Sequence, residues 1–307
     1  MSRPPGGVRI VVAGGTGFIG RHIAATLIAA GHEVSVLGRS PGKVRSIPEL
    51  SGATPIKGDV TEPASLRGTL DGAHAVVGAV QFPNHPIEVP RKGLTYDRFD
   101  RGGTQNLLEE AKRAGVRRYV YMSGAGADLT SDKTWFRAKG FAERALQESG
   151  LDHAIVRPSW AYGPEDRALN RFAQIARLSP IVPRLGVRPQ RVQPVHVDDI
   201  AEAVRRIFDR DAWGHIFEIG GPDVMTMQEI IETLLDVMGK RRAILPVPLP
   251  LAKLGTAPLV VLPSPPMTPH GIDFAAQDGL VDNSLMHRIL EMETIPLRAG
   301  LARYIRT

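Results

Sequence analysis

The segment VVAGGTGFIGRHI, residues 11–23, sets Gly14, Gly17 and Gly20 three residues apart between an apolar run and a helical repeat. The run before it, VRIVVA (8–13), is rich in branched residues, as a buried strand is. After it, Ile19, Ile23 and Leu27 recur at helical spacing until Gly31 closes the helix. The pattern is strand, tight turn, helix. In that context each glycine has a mechanical reason: a tight turn, close backbone approach to a pyrophosphate, and close packing of helix on strand. The helix start also aims free N–H groups and its positive dipole end at the phosphates. A dinucleotide is therefore expected on Gly14, Gly15, Thr16, Gly17, Phe18, Ile19 and Gly20.

Further apolar runs bounded by turn residues follow at HEVSVLGR (32–39), ATPIKGDV (53–60), HAVVGAV (74–80), VRRYVYMSGA (116–125) and LDHAIVRPS (151–159). A long helix is expected over 96–114, with Leu107, Leu108 and Ala111 on one face, and another carries Trp135 and Lys139. Strands alternating with helices give an α/β fold, a Rossmann-type doubly wound parallel sheet with right-handed crossovers. Beyond about residue 165 the alternation loosens, and residues 244–269 hold eight prolines. We expect a dinucleotide-binding domain over 1–165 and, over 166–307, a smaller C-terminal substrate lobe interleaved with it.

Composition removes several function classes. With no cysteine there is no disulfide, thiol nucleophile or thiolate metal site, and no two of the nine histidines stand three to five residues apart, so no metal is expected. The 38 Lys and Arg against 32 Asp and Glu leave a net charge of +6, but no basic run or recognition module accompanies it, so nucleic acid is not an expected partner. The start, MSRPPGG, has no apolar leader, and no segment reaches the roughly 18 apolar residues of a membrane span. The expected location is the cytoplasm, free or peripheral at the inner face of a membrane. Residues 244–269, apolar and nearly uncharged, are a candidate surface for a hydrophobic small molecule, a protein partner or a membrane interface.

The second strand decides between the two nicotinamide dinucleotides. An NAD site usually ends this strand in a carboxylate for the ribose hydroxyls, whereas here it ends in Arg39, with Ser40 and Lys43 beside it as further donors. A guanidinium stacks on adenine and pairs with a 2′-phosphate, which favours NADP(H) over NAD(H). Asp59 and Val60 stand where the adenine amino group would be received, and Ala79 and Val80 close the fourth strand against the cofactor.

Together GGTGFIG (14–20), GDV (58–60), GGTQNLLEEA (102–111), YVYMSGAGA (119–127), WFRAK (135–139), RPSWAYGPED (157–166) and VHVDDIAEAV (195–204) resemble the short-chain dehydrogenase/reductase superfamily in its extended and atypical branches, which include NAD-dependent epimerases and dehydratases. Within it, AYGPEDRALNRF (161–172) and IPLRAGLARYI (295–305) look most like the dehydrogenase-like accessory subunit of respiratory complex I and its bacterial relatives. The resemblance implies a serine that orients a carbonyl, then a Tyr-x-x-x-Lys pair in which tyrosine delivers the proton and lysine tunes it and holds the nicotinamide ribose. Ser123 matches the serine and Lys139 the lysine, but Trp135 stands in the tyrosine position. Indole has an N–H that does not titrate, so the proton relay is broken. Tyr162 is the one tyrosine expected near the nicotinamide as a substitute acid, with Pro158 and Ser159 bordering the ring.

Three functions follow from the resemblance: an NADP(H)-holding protein in an accessory, sensing or complex-I-related role; an NADPH-dependent reductase of a hydrophobic carbonyl or quinone; and a nucleotide-sugar epimerase or dehydratase. Whether the chain is an enzyme stays open at this stage. If active, it is an NAD(P)H-dependent oxidoreductase.

Overall fold

The computed structural model describes residues 7–83, 85–186, 188–256, 272–273 and 277–305. Its frame is a parallel sheet. Strands β1 (Arg9–Ala13), β2 (Glu33–Gly38), β3 (Thr54–Lys57), β4 (Ala75–Gly78), β5 (Arg118–Met122) and β6 (Asp152–Pro158) fall where the six apolar runs stand. A further strand at His215–Ile219 pairs with β6, Ile216 opposite Ile155, and brings the sheet to seven strands among the described residues. Counting outward from β1, the order is β3–β2–β1 on one side and β4–β5–β6–His215–Ile219 on the other. The direction of winding reverses between β1 and β4, and in sheets of this kind ligands lie outside the carboxyl ends of the strands at that point.

Helices cover both faces because the strands are apolar on both. Val12, Val36, Val77, Val120 and Val156 pack on one side, with α1 (Phe18–Ala29) supplying Ile23 and Leu27. Val11, Leu37, Val76, Tyr119 and Ile155 pack on the other, with α4 (Gly103–Arg113), which follows the short helices α2 (Pro41–Arg45) and α3 (Pro63–Leu66), supplying Leu107, Leu108 and Ala111. α5 (Thr134–Gln147) adds Ala142 and Leu146 to that second side. Burial of so many branched side chains supplies the main drive for folding. The helix expected over 96–114 is in two parts: Asp97–Gly102 is a π-helical turn that runs into α4.

Chain beyond residue 165 returns to this sheet. Two short strands, β7 (Ala161–Tyr162) and β10 (Val195–His196), pair in parallel; between them in the chain lie α6 (Ala168–Leu178), β8 (Ile181–Leu185) and β9 (Arg191–Val192). α7 (Val197–Asp209) then packs its apolar face, Ile200, Val204 and Ile207, into the same cluster as α1, and the strand at 215–219 is β11. The remainder is a smaller lobe: β12 (Met225–Thr226), α8 (Met227–Val237), β13 (Ala243–Val247), α9 (Leu249–Thr256) and a C-terminal helix, Leu297–Ala302. Its core joins Tyr162, Leu169, Ala173, Ile230, Leu234 and Leu301. Of the apolar segment 244–269, residues 257–269 lie outside the described residues.

Candidate functional site

The residues expected to hold a dinucleotide gather at the carboxyl edge of the sheet, on neighbouring strands. Gly14 leaves β1 at φ +81°, a left-handed conformation that favours glycine, and a Cβ there would lie 2.6 Å from the carbonyl oxygen of Ala79. Its N–H donates to Leu37 O at 3.0 Å, and the N–H of Ala79 donates to Ala13 O at 2.9 Å, so the ends of β1, β2 and β4 are tied together. Gly17 precedes the first turn of α1, no side chain caps that turn, and a Cβ on Gly20 would stand 2.3 Å from Gly14 O. The turn and the helix thus touch backbone to backbone, leaving the helix start facing the switch point. Phe18, Ile19 and Thr16 are half-buried around it, and Gly15 packs under Val36.

Arg39 and Ser40 follow β2 directly and are exposed, as is Lys43 in α2. Asp59 follows β3, where its Oδ1 accepts hydrogen bonds from the N–H and hydroxyl of Thr61, both at 2.9 Å. Val60 is buried and its carbonyl accepts from Asn106 at 2.7 Å, while a Cβ on Gly103 would come within 2.7 Å of its side chain. The GGTQN run therefore serves to seat α4 under the loop after β3. Val80 is half-buried after β4, and Pro158 ends β6. The Ser159 hydroxyl donates to Gly279 O at 2.5 Å, which commits it to a segment near the C-terminus.

The second half of the site is built by α5. Lys139 lies one turn from Trp135, and its Nζ reaches back over the sheet edge, 3.5 Å from Met122 O at the end of β5 and 5.7 Å from the centre of the Tyr121 ring. A carboxylate meets it there: Asp100 Oδ1 is 3.3 Å from Nζ, and Asp100 has no exposed surface. The other oxygen of Asp100 accepts from Phe82 N–H at 3.1 Å. Burial pushes the Asp100 carboxyl up, against the pull of Lys139 and the Phe82 amide. Trp135 is buried in an aromatic cluster with Phe82, Tyr96, Phe99 and Ala138, its ring 6.3 Å from that of Tyr96. The Tyr96 hydroxyl is hydrogen-bonded to Nδ1 of His85, and Tyr96 N–H donates to Glu88 at 2.8 Å. Burial, then the charges of Lys139 and Arg167, lower the His85 pKa to about 4, so its imidazole is neutral at neutral pH.

Ser123 and Tyr162 do not join this group. The Ser123 hydroxyl is buried and donates to Glu143 Oε1 at 2.5 Å; Glu143 in turn accepts from Arg157 Nε at 2.9 Å and Nη2 at 2.5 Å. The serine is one member of a buried ion-pair cluster one turn further along α5 than Lys139. Tyr162 is fully buried in the smaller lobe, where a Cβ on Gly300 would fall 2.1 Å from its hydroxyl, and burial pushes its pKa up. It is packed under the C-terminal helix. Asp100, Glu143, His85 and Tyr96 were not foreseen. For Asp100 a signal existed: residues 100, 104, 107, 108 and 111 share a helical face, so a carboxylate stood on the stripe that must be buried.

A second polar cluster joins the lobes. Both ring nitrogens of His22, in α1, face carboxylates at 2.9 Å, Nδ1 toward Asp198 and Nε2 toward Glu165. Carboxylates only accept, so this arrangement favours the doubly protonated ring, and hydrogen bonds to Asp198 and Glu165 raise the His22 pKa against the pull of burial. His196 accepts from Asp198 N–H at 3.2 Å and caps α7, and Asp199 accepts from Ile295 N–H at 2.8 Å. Among the described residues no group of three or more His, Asp or Glu is arranged to hold a metal.

A glycine turn at the switch point of a doubly wound parallel sheet, with an uncapped helix start facing the strand ends, defines a dinucleotide-binding protein of the Rossmann type. Residues 14–211 match the NAD(P)H-binding family, and the chain belongs to that family. Among curated relatives it is 29% identical over 259 residues to the mitochondrial NADH dehydrogenase [ubiquinone] 1 alpha subcomplex subunit 9 of Arabidopsis thaliana, covering 82% of this chain and 63% of the relative. It is 26% identical over 252 residues to the mitochondrial NADH-ubiquinone oxidoreductase 40 kDa subunit of Neurospora crassa, covering 81% and 65%. To a 3 beta-hydroxysteroid dehydrogenase/Delta 5-->4-isomerase of Mycobacterium tuberculosis it is 27% identical over 267 residues, covering 76% and 70%. The chain thus spans just under two thirds of the length of the first two. The fold matches the UDP-glucuronic acid 4-epimerase of Bacillus cereus, solved with UDP-glucuronic acid and NAD, at a TM-score of 0.74 and 19% identity over 96% of this chain and 98% of that one. These likenesses agree with the resemblance to the atypical and extended dehydrogenase/reductases. No helix among the described residues is long and apolar enough to cross a membrane.

Proposed function

We propose that the chain holds NADP(H) and uses it with little or no turnover, in an accessory or sensing role related to that of the complex I subunits it resembles. One observation carries this reading: Trp135 is locked in an aromatic cluster where the fold's chemistry asks for a titrating hydroxyl, and the Lys139 charge is already met by buried Asp100. A lysine so placed still serves a nicotinamide ribose, while the position one turn before it on α5 holds an indole in place of a phenol. Ser123, bonded to Glu143, is then a structural group, and Pro158 and Ser159 border the ring. Arg39, exposed at the end of β2 and making no hydrogen bond or ion pair among the described residues, selects the 2′-phosphate. Mass spectrometry of the ligand released from purified protein tests the reading, together with calorimetry of NADPH and NADH on wild type and Arg39→Asp. We expect NADPH to be recovered and to bind more tightly than NADH in wild type alone. Equal affinities in wild type, or recovery of NAD(H), overturn the cofactor assignment.

A second reading, an NADPH-dependent reductase of a hydrophobic carbonyl or quinone, is favoured by the Tyr96 hydroxyl, which is hydrogen-bonded to His85 and whose ring packs on Trp135. That phenol is the alternative proton source in this reading. An epimerase or dehydratase acting on nucleotide sugars is disfavoured by Trp135, since that chemistry needs the tyrosine as base.

A further inference from the structure

The positive charge of this protein has one address. Residues 167–191 hold six arginines and no carboxylate, and residues 240–256 hold two lysines and two arginines and no carboxylate. The rest of the chain has 28 cationic residues against 32 acidic ones, so the whole basic excess sits in these two segments. The fold brings them together, because β8 pairs with β13 in parallel, Ile181 opposite Ala243 and Pro183 opposite Leu245.

The same two segments carry an open apolar face. Val182 and Ile244 turn into the core of the smaller lobe, so by the two-residue period of a strand Ile181, Pro183, Ala243 and Leu245 share the opposite face. Ile181 is 42% exposed and Leu245 49%. Leu178, at the end of α6, is 89% exposed; Leu251 and Leu254, three apart on α9, are 61% and 72% exposed. Of the seven large apolar side chains exposed among the described residues, five are these. Arg177 adjoins Leu178, Arg241 precedes β13 and Arg188 follows β8, all three exposed. Some charges are spent locally: Arg184 is buried, Lys253 pairs with Asp273 at 2.5 Å, and Arg242 Nε donates to Ala176 O at 2.8 Å.

We propose that this face docks the protein on an anionic lipid bilayer, with Leu178, Ile181, Leu245, Leu251 and Leu254 in the interfacial layer and Arg177, Arg188 and Arg241 on the headgroup phosphates. Exposed aliphatic side chains on elements flanked by exposed arginines match a surface that is apolar within and anionic at its rim. A nucleic acid matches the charge but leaves the leucines unused, and among the described residues the face presents no exposed aromatic ring for base stacking. A protein partner is an alternative outcome of the test. The face lies outside the nucleotide site, so the docking stands or falls independently of the function proposed above.

The experiment is flotation of the full chain with vesicles of phosphatidylcholine alone or mixed with phosphatidylglycerol, at two salt concentrations. Wild type is expected to float with the anionic vesicles only, and less at high salt. Arg177→Glu/Arg188→Glu/Arg241→Glu is expected to lower that partition by at least about tenfold, since each basic residue near such a surface contributes. Leu178→Ser/Leu251→Ser/Leu254→Ser is expected to abolish the part that survives high salt. All six positions are exposed, and a melting temperature within a few degrees of wild type in both variants verifies that each is folded. No flotation of wild type with anionic vesicles overturns the proposal, as does equal flotation with neutral ones, or partition that neither variant moves. Concentration-dependent dimerisation without flotation assigns the face to a second copy and overturns it equally.

Discussion

Lys139 Nζ and Asp100 Oδ1 lie 3.3 Å apart, the carboxylate fully buried in a π-helical turn and the ammonium at the rim of the nucleotide edge. A buried charge stays charged only if it is paired, so each of these groups depends on the other. We expect Asp100→Asn to leave Lys139 without its counter-charge, lower the melting temperature and weaken NADPH binding several-fold. Lys139→Met alone should destabilise as well, by roughly 2–4 kcal/mol, while the double variant Asp100→Asn/Lys139→Met recovers at least half of the loss. Thermal melts of the four proteins measure the coupling, and additive losses would show that the pair is not a unit.

The glycine turn separates fold from binding. A Cβ on Gly20 would meet Gly14 O at 2.3 Å, backbone against backbone, so Gly20→Ala must distort the turn and cost about 1–3 kcal/mol of stability. At Gly17 the corresponding approach is 3.1 Å and the residue is exposed, so Gly17→Ala should fold nearly normally. If the pyrophosphate lies on this turn as proposed, the alanine methyl group would nonetheless stand on the path of the phosphates. We expect Gly17→Ala to melt within a few degrees of wild type yet bind NADPH at least about tenfold more weakly, a loss of about 1.4 kcal/mol. Calorimetry that finds its affinity unchanged would place the phosphates elsewhere.

His22 should make stability depend on pH. Burial pulls its pKa down, but hydrogen bonds to Asp198 and Glu165 more than offset this, and the folded value lies above the ordinary 6.5. A raised imidazole pKa gives stabilisation that is fully present below 6.5 and is lost as pH rises through the folded value. The gap in melting temperature between wild type and His22→Gln should therefore be widest in mildly acidic solution and narrow toward alkaline pH. A gap that widens with pH would mean that the ring is neutral in the folded protein.

Much of this was legible in the residue order. The glycine spacing in VVAGGTGFIG and the six apolar runs specify local states, a turn that needs glycine and strands buried on both faces, so the sheet and the turn at its edge followed directly. The aromatic at 135 and the lysine at 139 share a helical face by spacing alone. What did not follow was pairing across the fold. The hydroxyl of Ser123 faces Glu143, twenty residues away, and nothing local says so. The contact of Tyr96, at the start of the expected helix, with Trp135 was not legible because the segment that leads into it has no period to read. β11 was missed for a similar reason: HIFEI is a short run in a stretch where the alternation had faded, and it is a strand because β6 offers it an edge.

The measurement that bears most directly on a nucleotide held without turnover is NADPH oxidation by the purified protein, followed at saturating nucleotide with a panel of aldehydes, ketones and quinones. We expect wild type to bind NADPH but to show no oxidation above the rate without protein, and Trp135→Tyr to raise the rate, since Lys139 already lies one turn away on α5. A wild type that turns over rapidly on any of these substrates would contradict the proposed role, and loss of that activity in Tyr96→Phe would move the proton source to Tyr96.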